Sequence, residues 1–210
     1  MENEDEFNRV YDSVTKQPLH REVLLAILSY CETSRDQAAI EAHVASLPEA
    51  AGAMQSPYRL MQQLVAAGGL TCTELDAQGN EVLPAAKEGL SEDELDDLVQ
   101  GWRYETTNAG KQVAAYFAPA RRMARLLDVH PTAAAAYSQV MCFCEQPRSR
   151  NDLAAFIERE HLLETIQAVL PKGSELRPSV LMDKLEAAGM LAWQNGWTIT
   201  DAGRRYLQEG

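Results

Sequence analysis

A chain of 210 residues holds one large domain or two modest ones, and 46% hydrophobic residues is ordinary for a folded globular protein. A net charge of −12 weighs against general nucleic-acid binding, which needs cations for phosphates. No apolar run reaches the roughly 18 residues of a membrane-spanning helix, and the start Met1-Glu2-Asn3-Glu4-Asp5-Glu6 is the reverse of a basic leader, so a cytoplasmic protein without membrane contact is expected.

Phe7, Val10, Tyr11 and Val14 fall at i, i+3, i+4 and i+7, which predicts an amphipathic helix within residues 1–19, packed in cis or forming a dimer contact. From His20 to Cys31, the residues Val23, Leu24, Ile27, Leu28 and Cys31 mark a helix with one buried face. Thr33-Ser34-Arg35-Asp36 offers a cap for a second helix, with Ala39, Ile40, His43 and Val44 inward. Ser56-Pro57 opens a third helix, since proline suits the first helical turn, and Gly68-Gly69 closes it. A strand from Leu70 and a returning strand over about Trp102 to Thr106 then lead to a helix near Asn108, completing a first domain over 20–117.

Between those strands lies an insertion, 71–101, with a turn at Gln78-Gly79-Asn80 and a helix opening at Ser91. Ser91 and Glu94 form a capping box, and Leu95, Leu98 and Val99 give the helix one apolar stripe. The insertion carries nine acids and one lysine, net −8, against −5 for residues 1–70 and +1 for 102–210. The acidity is therefore local. Residues 118–130, with Arg121, Arg122 and Arg125 beside Met123, Leu126 and Leu127, are expected as a helical linker. A second domain, 131–210, follows: helices over about Pro131 to Glu145, Asn151 to Glu164 and Pro178 to Ala188, a hairpin with a two-residue Asn195-Gly196 turn, and a helix capped by Asp201.

The two domains share sequence in the same order. Pro57-Tyr58-Arg59-Leu60-Met61-Gln62-Gln63-Leu64-Val65-Ala66-Ala67-Gly68-Gly69-Leu70 and the segment Pro178 to Leu191 agree at eight of fourteen positions, 121 residues apart. Upstream, Cys31-Glu32 answers Cys144-Glu145, and Ser34-Arg35-Asp36 answers Ser149-Arg150-Asn151. Downstream, Thr107-Asn108-Ala109-Gly110-Lys111 answers Thr200-Asp201-Ala202-Gly203-Arg204. An internal duplication is the economical account.

Three helices, a hairpin and a closing helix introduced by Thr-x-Ala-Gly-Lys/Arg form an order similar to that of winged helix domains. Over residues 20–117 and 131–208 the chain resembles that superfamily, and in Leu181 to Gly203 the bacterial regulators of the multiple-antibiotic-resistance and phenolic-acid type. The resemblance implies a mainly α fold with small β-hairpins (α+β), built as two tandem winged helix domains. It leaves function open, because such domains serve both as DNA readers and as protein-docking modules.

As a DNA reader, the third helix of each copy would enter the major groove and its outward residues would meet bases and phosphates. Those are Ser56, Tyr58, Arg59, Gln62 and Gln63 in the first copy, where arginine and glutamine match the edges of guanine and adenine. In the second they are Arg177, Ser179, Asp183, Lys184 and Glu186, and the two carboxylates make this a poor reader. Arg148 and Arg150 before the second helix, with Lys172 and Arg177 before the third, stand where phosphate contacts fall, unless they pair with the protein's own acids. For a protein partner the docking residues would be Glu92, Asp93, Leu95, Asp96 and Leu98.

The cysteines Cys31, Cys72, Cys142 and Cys144 and the four histidines lack ligand spacing, and the thiols of Cys142 and Cys144 lie about 200° apart around a helix, so no metal is expected. No phosphate-binding glycine loop, zinc-protease helix or nucleophile elbow is present, and no enzyme or small-molecule cofactor is expected. Two readings remain. The one placed first is a DNA-binding transcriptional regulator whose paired domains imitate the half-sites of a dimer. The other is a protein-interaction scaffold, like the acidic tandem winged helix subunits of chromosome condensation and membrane-sorting complexes. A homodimer is compatible with either.

Overall fold

A computed structural model of the protein describes residues 2–47, 50, 53–164, 177–193 and 195–209. Among them are eleven α-helices and two small antiparallel sheets, a mainly helical α+β arrangement. The chain divides into two compact units, Met1–Ala115 and Tyr116–Gly210. No helix among the described residues is long and apolar enough to cross a membrane.

The first unit opens with α1 (Glu2–Thr15), whose Val10 and Val14 are fully buried, so its apolar stripe packs in cis. Helix α2 (Pro18–Tyr30) buries Val23, Leu24, Ile27 and Leu28. Next come β1 (Arg35–Asp36), α3 (Gln37–Ala45) and α4 (Pro57–Ala67). The hairpin strands β2 (Leu70–Leu75) and β3 (Gly101–Thr106) pair from Leu70 opposite Thr106 to Leu75 opposite Gly101. Helix α5 (Glu92–Leu98) lies between them in sequence, and α6 (Asn108–Tyr116) follows. The second helix begins at Gln37, so of the stretch Thr33-Ser34-Arg35-Asp36 expected to cap it only Asp36 stands at the cap position, without a side-chain capping bond. Arg35 and Asp36 are drawn into the sheet instead, opposite Tyr104 and Arg103, and extended backbone cannot also be helical.

The second unit contains α7 (Pro119–Val129), α8 (Ala134–Phe143), α9 (Arg150–Arg159), α10 (Ser179–Ala187), strands β4 (Leu191–Trp193) and β5 (Trp197–Ile199), and α11 (Asp201–Glu209). The segment expected as a linker is α7, an integral helix of this unit, because Met123 is fully buried with Tyr137, Met141, Leu153, Leu181 and Leu185. Val10 and Met123 lie 113 residues apart, as do Cys31 and Cys144, and all four are fully buried. The β4–β5 register sets Trp193 opposite Trp197, so the strands are separated in sequence by three residues where two were expected. Asn195 adopts the left-handed conformation there, with φ of 57°. The cap of the last helix is Thr200, whose hydroxyl accepts from Gly203 N at 3.1 Å, and not Asp201.

Both units are closed by one repeated hydrogen-bond set. Thr106 N donates to Cys31 O at 2.8 Å, and Ile199 N donates to Cys144 O at 2.9 Å. Thr107 Oγ1 donates to Gly68 O at 2.7 Å and accepts from Gly110 N at 3.1 Å. Thr200 Oγ1 donates to Gly189 O at 2.7 Å and accepts from Gly203 N at 3.1 Å. Each threonine thereby ties the end of the third helix to the start of the closing one. Arg35 lies opposite Tyr104, and Arg148 bridges Trp197.

Candidate nucleic-acid and partner interface

Helix α4 is held at both ends. Ser56 Oγ accepts from Arg59 N, Pro57 occupies the first turn, and Gly68, with φ of 82°, ends the helix in a conformation that favours glycine. Leu60, Met61 and Leu64 are buried beneath it. On its outer side Tyr58 and Arg59 are exposed, as a reading helix would require. The two glutamines are not free to read. Gln62 Nε2 donates to the hydroxyl of the fully buried Tyr104 on β3 at 3.3 Å. Gln63 Nε2 donates to Ser13 O at 2.9 Å and Ser13 Oγ at 3.1 Å, fastening α4 to α1. Both glutamines are half-buried, and neighbouring elements that flank the helix engage their amides.

On α10, Leu181, Met182 and Leu185 face inward and Asp183 and Glu186 are exposed. Burial, and secondarily Asp183, push the Glu186 carboxyl above its ordinary range. Lys184 Nζ lies 3.0 Å from Nε2 of His130, a ring only 8% exposed. Burial first, and then the Lys184 charge, depress the pKa of that imidazole, so it accepts from the ammonium as a neutral ring. Arg177 and Arg150 are exposed, and Lys172 lies outside the described residues. Arg148 is bound at home: its Nε donates to Phe143 O at 2.9 Å and its guanidinium lies 4.4 Å from the centre of the Phe143 ring. Arg122 Nη1 donates to Ala187 O at 3.1 Å, and Arg125 Nη1 to Tyr116 O at 3.0 Å with its guanidinium over the Tyr116 ring. Arg148, Arg122 and Arg125 thus each donate to a main-chain carbonyl of their own unit.

In the acidic insertion, Asp76 Oδ1 accepts from Gln78 N and Asn80 N, both at 2.8 Å, and builds the expected turn. Those bonds hold the Asp76 carboxyl below its ordinary range. The capping box of α5 is complete, with Ser91 N and Oγ both donating to Glu94 Oε2 at 2.8 Å. Glu92, Asp93 and Asp96 are exposed, whereas Leu95, Leu98 and Val99 are half-buried. Lys87 pairs with Glu74. The β4–β5 hairpin of the second unit exposes Trp193, edge-on to the buried Trp197.

One constellation escaped the sequence reading. Arg35 lies over Tyr30, which stacks on His43 at 4.0 Å, and Arg148 lies over Phe143, which stacks on Phe156 at 4.1 Å. All three pairs are 113 residues apart, and that common offset was the signal available in the sequence. The same arginines stand by Cys31 and Cys144, whose thiols burial pushes up to about 11 and about 12, against a smaller lowering by each guanidinium. Both stay protonated and unreactive at neutral pH. Comparison with known proteins yields no match to this chain, whether among family models, curated proteins or solved structures.

Proposed function

We propose that both units are winged helix domains, derived from an internal duplication, and that the chain is a non-enzymatic scaffold that docks protein partners. One observation carries this reading: of the residues suited to reading DNA, Gln62, Gln63, Arg148 and Lys184 are committed to bonds within their own units. The exposed acids Glu92, Asp93 and Asp96 point the same way, since a wing that follows a phosphate backbone needs cations where this one carries carboxylates. Docking through such a surface requires no small-molecule cofactor.

The second reading, a DNA-binding transcriptional regulator, draws on Tyr58 and Arg59 exposed near the start of α4 and on exposed Arg150 and Arg177 before the matching helices of the second unit. A labelled random duplex of about 20 base pairs separates the two, titrated with protein at salt near 50 mM and upward. A scaffold gives no anisotropy change at the lowest salt. Binding that weakens steeply with salt, and that is lost on Arg59→Ala, overturns the scaffold in favour of the regulator.

A further inference from the structure

Each unit holds a groove between its opening helix and its third helix. In the first unit it measures about 610 Å³ and is lined by Arg9, Asp12, Ser13, Lys16 and Gln63 with three further residues. In the second it measures about 250 Å³ and is lined by Arg122, Arg125, Leu126, Lys184, Ala187 and Ala188. The offsets of 113 and 121 that relate the two units set Arg9 against Arg122, Asp12 against Arg125, Ser13 against Leu126 and Gln63 against Lys184. The first groove is thus an internal control for the second. The same packing of helices is achieved with Asp12 and Gln63, so the fold does not demand Arg125 and Lys184.

Those two cations convert a mixed groove into a positive one. No carboxylate is among the described residues that line it. Arg125 is oriented by a carbonyl, and Lys184 by a neutral ring nitrogen, and neither acceptor cancels a charge. Between the cations the surface is apolar, formed by Leu126, Ala187 and Ala188. A carboxylate beside an apolar side chain suits both features.

We propose that the groove between α7 and α10 is the docking site for an acidic segment of a partner protein. Carboxylates meet Arg125 and Lys184, and an aliphatic side chain covers Leu126 and the two alanines. The inference rests on the docking reading above and names the chemistry of the partner.

Fluorescence anisotropy on the full chain tests it. The probe is a labelled synthetic peptide with the sequence of residues 91–99, acidic with interspersed leucines, and the control is the same peptide with its acids replaced by amides. The double variant Arg125→Asp, Lys184→Gln installs the side chains of the first unit in a frame that accepts them. It is expected to weaken binding at least about tenfold while retaining a cooperative thermal transition, whereas Lys184→Arg preserves binding. Equal binding of the peptide by the wild type and the double variant, or no binding at low salt, overturns the groove assignment and leaves the docking reading standing. A random duplex that competes with the peptide, dependent on Arg125 and Lys184 and steeply on salt, overturns both.

Discussion

Gly110 and Gly203 stand where the closing helix of each unit crosses the end of its third helix, and neither site has room for a side chain. A Cβ at Gly110 would come within 2.3 Å of Gly69 O, and one at Gly203 within 2.5 Å of Met190 O. Both obstacles are backbone, which cannot swing aside. Gly110→Ala and Gly203→Ala are each expected to cost about 3 kcal/mol, read as a shift of the urea midpoint. His130 sets a different kind of limit. Its folded pKa lies below the ordinary value of 6.5, so the unfolded chain takes up the proton first as the pH falls. The contribution of the neutral ring is intact above about pH 6.5 and is lost progressively below it. Melting temperatures between pH 7.5 and 5 check this: a His130→Gln variant should show a shallower acid decline than the wild type.

At the scale of elements, α5 is seven residues long and buries none of them, so its ends matter more than its face. Ser91→Ala removes the hydroxyl that accepts from Glu94 N, the side-chain half of the capping box, and should destabilise this helix by about 1 kcal/mol, seen as faster amide exchange over 92–98 with no change in the global transition. The capping box, the turn at Asp76 and the helices with strong apolar periodicity were legible in the sequence, because each is set by residues a few positions apart. What was not legible has a common cause. Arg35-Asp36 is too short to show a period, and it becomes a strand only because β3, almost seventy residues later, lies alongside. A helical wheel set Gln62 and Gln63 outward from the buried face of α4 but carried no information about Tyr104 and Ser13 on flanking elements. Lys184 resembled a solvated cation for the same reason, since His130 lies 54 residues away.

At the scale of the molecule, the charge follows the division into units. Residues 1–115 carry twenty acids and eight bases, and residues 116–210 carry eleven of each, so the whole net charge of −12 belongs to the first unit. Each unit also has its own buried set, around Leu24, Leu60 and Tyr104 in one and around Tyr137, Leu153 and Leu181 in the other. A chain with two cores is expected to unfold in two steps. In the full chain, Gly110→Ala should move only one urea transition and Gly203→Ala only the other; a single transition shifted by both variants would refute this.

The β2–β3 hairpin has a practical consequence. Leu75 faces Gly101, so the polypeptide departs into residues 76–100 and returns at an adjacent point of the sheet. Loop closure there depends only logarithmically on the length enclosed. Within that span Gly89 is exposed, with φ of 81° and open space where a Cβ would project. It is a ready-made splice point, where a fluorescent reporter can be threaded into the chain with both termini left unmodified.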